Sequence, residues 1–156
     1  MTTSTSQSIA ITALLIDPNR AEARRVSLTV MDDALRLDEL YVLLGCDLVE
    51  RAAFDEQHLI WADENGWDAA TAFTVSDDGT NAIAGRFLII GETDDGELQD
   101  VVPEVAPLLA RLTCHRCLFE PEFVTRTSNT GAGFCVETRL QGVTPRIDRT
   151  RPRLVD

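Results

Sequence analysis

The clearest chemical spacing in this chain is Cys114-His115-Arg116-Cys117. Two thiolates separated by two residues can face one ion, and Cys135 follows later in the chain. With His115 or Cys46 as a further ligand, these cysteines would compose a tetrahedral zinc site. The second close cysteine pair that a zinc finger or ribbon carries is missing. The same pair could serve redox chemistry, yet no thioredoxin-like βαβ pattern surrounds it. The plain alternative is that the cysteines are small buried apolar side chains. The expectation is no cofactor, with zinc on Cys114, Cys117 and Cys135 as the metal alternative.

His58 lies in QHLIW, close to Asp55 and Glu56. A single histidine beside carboxylates reads as an edge residue before it reads as a general base. The chain contains 14 arginines and no lysine. Schiff-base chemistry, a phosphate-binding P-loop lysine and a Ser–Lys dyad are therefore excluded. There is no nucleophile elbow, no HExxH and no glycine-rich phosphate loop. The reading is a non-enzymatic protein. A small enzyme assembled from scattered carboxylates, around Asp55, His58 and Asp63, is the alternative.

Carboxylates dominate the rest. The 156 residues carry 26 acidic side chains and a net charge of −12. Residues 53–104 hold 13 acids and one arginine, so this block alone accounts for −12. Its acids fall in three turn-like stretches, DENGWD, SDDGT and TDDGE. If those turns gather at one sheet edge, Asp63, Glu64, Asp68, Asp77, Asp78, Asp94, Asp95 and Glu97 form a negative surface, with Trp67 as an anchor. Such a surface repels nucleic acid and steers a basic partner. The sharp version is a nucleic-acid mimic occupying the groove of a host nuclease or defence protein. The bland version is that aspartate suits turns and that negative charge aids solubility. Neither Asp-Asp-Gly stretch matches a calcium-hand loop.

The elements that must position these residues are mostly strands. Apolar and alternating stretches predict strands at 9–16, 25–30, 46–54, 57–62, 71–75 and 83–91. A helix is predicted after Asp33 as N-cap, ending at Gly45, and a second over 102–112 that Pro107 would kink. A hairpin is predicted over 119–140, and 144–156, with four arginines and two prolines, is expected to be extended. Strands outnumber helices without βαβ alternation. The predicted class is α+β: a single domain with a mainly antiparallel sheet and about two helices. The expected divisions are a disordered tail at 1–8, a core at 9–112, a hairpin extension at 113–143 and an Arg-rich tail at 144–156. No apolar run has membrane-spanning length, and 1–8 lacks the pattern of a secretion signal. The expected setting is cytoplasmic, with the thiols reduced.

DELYVLLGCDLVER, HLIWADENG and IAGRFLIIGETDDGE together resemble a family of small uncharacterised proteins of phages, plasmids and other mobile DNA, a domain of unknown function. The resemblance spans roughly residues 11–100 and rests on turns and core positions. It implies a mobile-element setting and no activity. The expected function is an accessory protein that binds a basic macromolecular partner, such as a nucleic-acid-handling host protein, through its acidic surface.

Overall fold

The computed structural model describes residues 7–156. The expected tail at 1–8 falls, for residues 1–6, outside the described residues. Most of the remainder is antiparallel sheet, with 60% strand and 11% helix. The α+β, single-domain expectation is thereby corrected to a mainly β chain that divides into two compact units. Helix is scarce because α1 spans only Leu37–Leu44 and α2 only Ala106–Leu109. The second helix was expected over 102–112, but Pro107 sits in its first turn, and Leu112 already begins a strand.

The first unit takes in the chain up to Arg116 together with Arg149–Asp156. Its main sheet starts with a hairpin of β1 (Ser8–Asp17) and β2 (Glu22–Met31), in register from Ser8↔Met31 to Asp17↔Glu22. Two residues, Asp32 and Asp33, then turn the chain into β3 (Ala34–Leu35), with Met31 opposite Ala34. Both aspartates have positive φ, 51° and 63°, the signature of a type I′ hairpin turn. Asp33 is thus a turn residue and not the helix cap expected of it. The N-cap of α1 is Arg36, which makes no side-chain capping bond. Gly45 does end α1 in the left-handed conformation, as expected.

β4 (Val49–Asp55), β5 (His58–Asp63), β8 (Phe87–Glu92) and β9 (Leu98–Gln99) complete the main sheet, with β12 (Arg153–Leu154) parallel to β2. The order is β12-β2-β1-β8-β5-β4, with β3 on β2 and β9 on β8. β8 explains its own sequence. Phe87 and Ile89 join one buried cluster with Leu108 and Leu109 of α2, while Leu88 and Ile90 join another with Leu40 and Leu44 of α1. A strand covered on both faces is apolar throughout.

The apolar run 83–91 predicts one strand. It is two, in different sheets. Gly85 (φ 71°) breaks it, and β7 (Ala82–Ala84) pairs with β6 (Ala72–Ser76) in a second sheet. β6 pairs on its other side with the start of β10 (Leu112–Thr130), from Leu112↔Ser76 to Arg116↔Ala72. The second unit, Cys117–Asp148, comprises the rest of β10 and most of its hairpin partner β11 (Gly133–Thr150). These strands run well past the hairpin expected at 119–140.

Candidate functional site

The three acidic turns do not gather. β5 and β8 are antiparallel, with His58 opposite Gly91 and Ala62 opposite Phe87. Asp63 and Glu64 therefore leave one end of this ladder, and the turn holding Asp94, Asp95 and Glu97 leaves the other. Five residues of strand separate them by roughly 17 Å.

The middle turn is committed internally. Arg151 grips Asp77 with two guanidinium nitrogens, at 3.1 Å and 2.9 Å, and Thr113 Oγ1 donates to it at 3.3 Å. Those contacts hold the Asp77 carboxyl below the usual range, the Arg151 hydrogen bonds foremost. Asp78 accepts from Ser76 Oγ, Thr80 N–H and Thr80 Oγ1, which lowers its pKa to about 2. The arginine-bearing C-terminal stretch thus closes on one acidic turn.

At the Asp63 end, Asp63 accepts from the Asn65 N–H. Glu64 and Asp68 have no side-chain partner among the described residues. Trp67, on the 3-10 turn Gly66–Ala69, is 55% exposed and tilts against Phe73 at 5.6 Å. Phe73 stacks in turn on His115 at 4.7 Å.

The other end is where carboxylates meet a concave apolar surface. A cavity of about 330 Å³ is lined by Asp33, Leu35, Leu37, Arg51, Trp61, Glu92, Gly96 and Leu98. Several elements build it. The Asp32-Asp33 turn sets one rim. The Glu39 carboxylate then pins α1 to β2, accepting from Thr29 N–H at 2.8 Å and Thr29 Oγ1 at 2.7 Å, and this places Leu37 at the mouth. The opposite rim is the β8–β9 turn, closed by Gly96 N–H on the Thr93 carbonyl at 2.9 Å and Thr93 N–H on the Glu97 carbonyl at 2.8 Å. Gly96 has φ 81°, a conformation that favours glycine. Trp61 lines the wall, and its buried Nε1–H has no acceptor among the described residues. Asp32, Asp33, Glu92, Asp94, Asp95 and Glu97 carry carboxylates with no hydrogen bond or ion pair among the described residues. Of the sequence-predicted residues, Asp94, Asp95 and Glu97 belong to this end. Asp33, Glu92, Arg51 and Trp61 were missed. The Asp-Asp dipeptide after β2 was the available signal.

The catalytic candidates resolve into structure. His58 is 3% exposed. Its Nδ1 lies 2.9 Å from Asp55 Oδ1, and its Nε2 accepts from the Val102 N–H at 3.5 Å. Both ring nitrogens are therefore used inside the fold. Asp55 also receives Arg111 Nη2 at 2.8 Å and the Gln57 N–H at 2.8 Å. Burial pushes the Asp55 carboxyl up, but Arg111, Gln57 and His58 outweigh it and leave the pKa lowered. Arg111 is itself stacked over Phe54 at 4.5 Å.

The cysteines are not brought to one ion. In an extended strand, residues three apart point to opposite faces, so Cys114 and Cys117 diverge along β10. Cys114 is buried against Thr74 Oγ1 at 3.7 Å, and burial raises its pKa, as it does for Cys46. Cys117 and Cys135 are exposed. Among the described residues no three His, Cys, Asp or Glu side chains form a metal-sized cluster. No helix among them is long and apolar enough to cross a membrane.

These features define a small, mainly antiparallel β protein in two units, with one acidic-rimmed apolar cavity in the first. The chain belongs to the family described as Domain of unknown function (DUF3846), whose model matches residues 11–113. It is similar to the uncharacterized protein y4iR of Sinorhizobium fredii, 30% identical over 147 residues, covering 92% of this chain and 88% of that protein. It is also similar to Protein PsiB of Rhizobium leguminosarum bv. phaseoli, 29% identical over 116 residues, covering 72% of this chain and 85% of PsiB. The y4iR match covers at least about 30 of the 43 residues after 113, so it runs on into the β10–β11 hairpin. No solved structure matches the chain.

Proposed function

We propose that the protein is a non-enzymatic accessory protein that binds a basic macromolecular partner at the acidic-rimmed cavity between the β2–β3 and β8–β9 turns. The observation that carries this reading is the combination at one end of the main sheet. Leu35, Leu37, Trp61 and Leu98 offer an apolar seat of about 330 Å³, and the adjoining turns supply carboxylates with no partner among the described residues. An apolar anchor flanked by Arg or Lys suits such a seat, the anchor supplying affinity and the charges orientation. A phage or plasmid setting, which the resemblance drawn from the sequence motifs implies, is part of this proposal, and a nucleic-acid-handling host protein is the partner class proposed.

A long nucleic-acid-like ridge receives less support, because Glu64 and Asp68, two further carboxylates with no partner among the described residues, leave the opposite end of the β5–β8 ladder. The test is capture of basic proteins on the immobilised chain at low and high salt. Asp94→Asn/Asp95→Asn/Glu97→Gln should lose most of the salt-sensitive capture, and Glu64→Gln/Asp68→Asn should keep it. Equal capture by wild type and the first variant, or no basic protein captured at low salt, would sink the reading.

A further inference from the structure

The second unit is a long hairpin whose side chains sort by face over residues 119–123 and 143–147. Arg146 Nε donates to Glu120 Oε1 at 3.0 Å, and Thr144 Oγ1 donates to Glu122 Oε1 at 3.4 Å. Glu120, Glu122, Thr144 and Arg146 therefore share one side. Strand alternation puts Phe119, Pro121 and Phe123 of β10, with Val143, Pro145 and Ile147 of β11, on the other. Over these two stretches one face is charged and polar and the other is apolar. The apolar face is bare: Phe119 is 69% exposed, Phe123 59%, Val143 49% and Ile147 45%. A lone two-stranded hairpin is marginal in water and needs a packed face to persist.

We propose that this face is a dimerisation surface, stacked face to face on the same face of a second copy about a two-fold axis. Three observations select a second copy. The first is charge. Residues 117–148 hold three arginines and four acids, net −1, in a chain of −12. Two copies can meet there without opposing their acidic blocks, and a strongly basic partner gains little from it. The second is area. The six apolar side chains leave roughly 500 Å² uncovered per hairpin, taking about 200 Å² for a phenylalanine. Two such faces bury about 1,000 Å² in total, the lower bound for a stable interface. The third is the pair of prolines. A proline in a two-stranded hairpin keeps its missing donor on the outer edge, so Pro121 and Pro145 blunt one edge each. Edge-to-edge extension is disfavoured, and face packing remains.

The experiment is solution mass by light scattering and sedimentation equilibrium on the full chain. The expected mass is twice the 17.2 kDa of one chain. Phe119→Ser/Phe123→Ser should raise the dimer dissociation constant about a hundredfold or more, from the loss of two large buried contacts per copy. Glu120→Ser/Glu122→Ser, on the charged face, should leave it within a few fold. Should the first variant aggregate, Val143→Thr/Ile147→Thr repeats the test on the neighbouring strand. A wild-type chain at monomer mass at tens of micromolar overturns the proposal, and that measurement needs no variant. Equal weakening by both faces, or a dimer untouched by the apolar-face variants, overturns it as well.

Discussion

Replacing His58 by alanine separates a structural histidine from a catalytic one. The ring is 3% exposed, bonds Asp55 at 2.9 Å and accepts from the Val102 N–H at 3.5 Å. Its removal leaves a void, and truncation of large buried side chains costs about 2–5 kcal/mol. It also leaves the Val102 N–H unpaired, worth about 1–3 kcal/mol when fully buried. The 3.5 Å bond is long, so the lower end of that range applies. The expected total is about 3–6 kcal/mol, a large share of a typical stability of about 5–15 kcal/mol. For a chain of this size the melting temperature should fall by roughly 6–24 °C. Urea unfolding followed by circular dichroism gives the difference directly. Asp55→Asn, which keeps the volume but loses the charge facing Arg111, should cost less. A His58→Ala loss under about 1 kcal/mol would refute this reasoning and reopen His58 as a residue free to do chemistry.

Three further expectations concern single positions of the fold. Gly91→Ala would drive a Cβ into the Asp100 carbonyl oxygen, which is backbone and cannot swing away; a loss of about 1–3 kcal/mol is expected in a thermal melt, and an unchanged melt contradicts the close packing. Asp33→Gly, at φ 63°, should stabilise the β2–β3 turn by about 0.4–1 kcal/mol in urea unfolding, because glycine meets no steric cost there. The pKa of Asp78 is lowered from 3.8 to about 2, so its contribution is complete above pH 3.8 and is lost as pH falls towards about 2. Asp78→Ala should therefore be less stable at neutral pH and lose less on acidification, and parallel pH curves for the two proteins would show that the Ser76 and Thr80 hydrogen bonds contribute nothing.

Much of the frame was legible because it depends on local pattern. The β1–β2 hairpin follows from an apolar run, a Pro-Asn turn and an alternating run. Gly45 ends α1 for a reason visible in its lack of a Cβ. What was not legible depends on partners distant in sequence. The run 83–91 is apolar from end to end, and nothing in it says that Gly85 divides it between two sheets. Whether Cys114 and Cys117 can share an ion depends on strand or loop: a two-residue gap converges in a tight turn and diverges in a strand. The acidic turns are visible in the sequence, but their grouping depends on strand order, and β5 and β8 carry two of them to opposite ends. The cavity was hidden because Asp33, Trp61 and Glu92 come from three separate stretches. Arg151 on Asp77 joins residues 74 apart, which no spacing rule reaches.

The central claim is that a basic partner seats an apolar group against Trp61 under an acidic rim. Tryptophan fluorescence of the Trp67→Phe protein, with Trp61 as its sole indole, tests it most directly against a basic peptide bearing one aromatic side chain. The expected result is a saturable change in Trp61 emission that weakens with added salt. Affinity should fall about tenfold in Asp33→Asn/Glu92→Gln, as the loss of two rim charges worth about 0.7 kcal/mol each. An emission that stays constant through the titration, or an affinity unchanged in that variant, would contradict it.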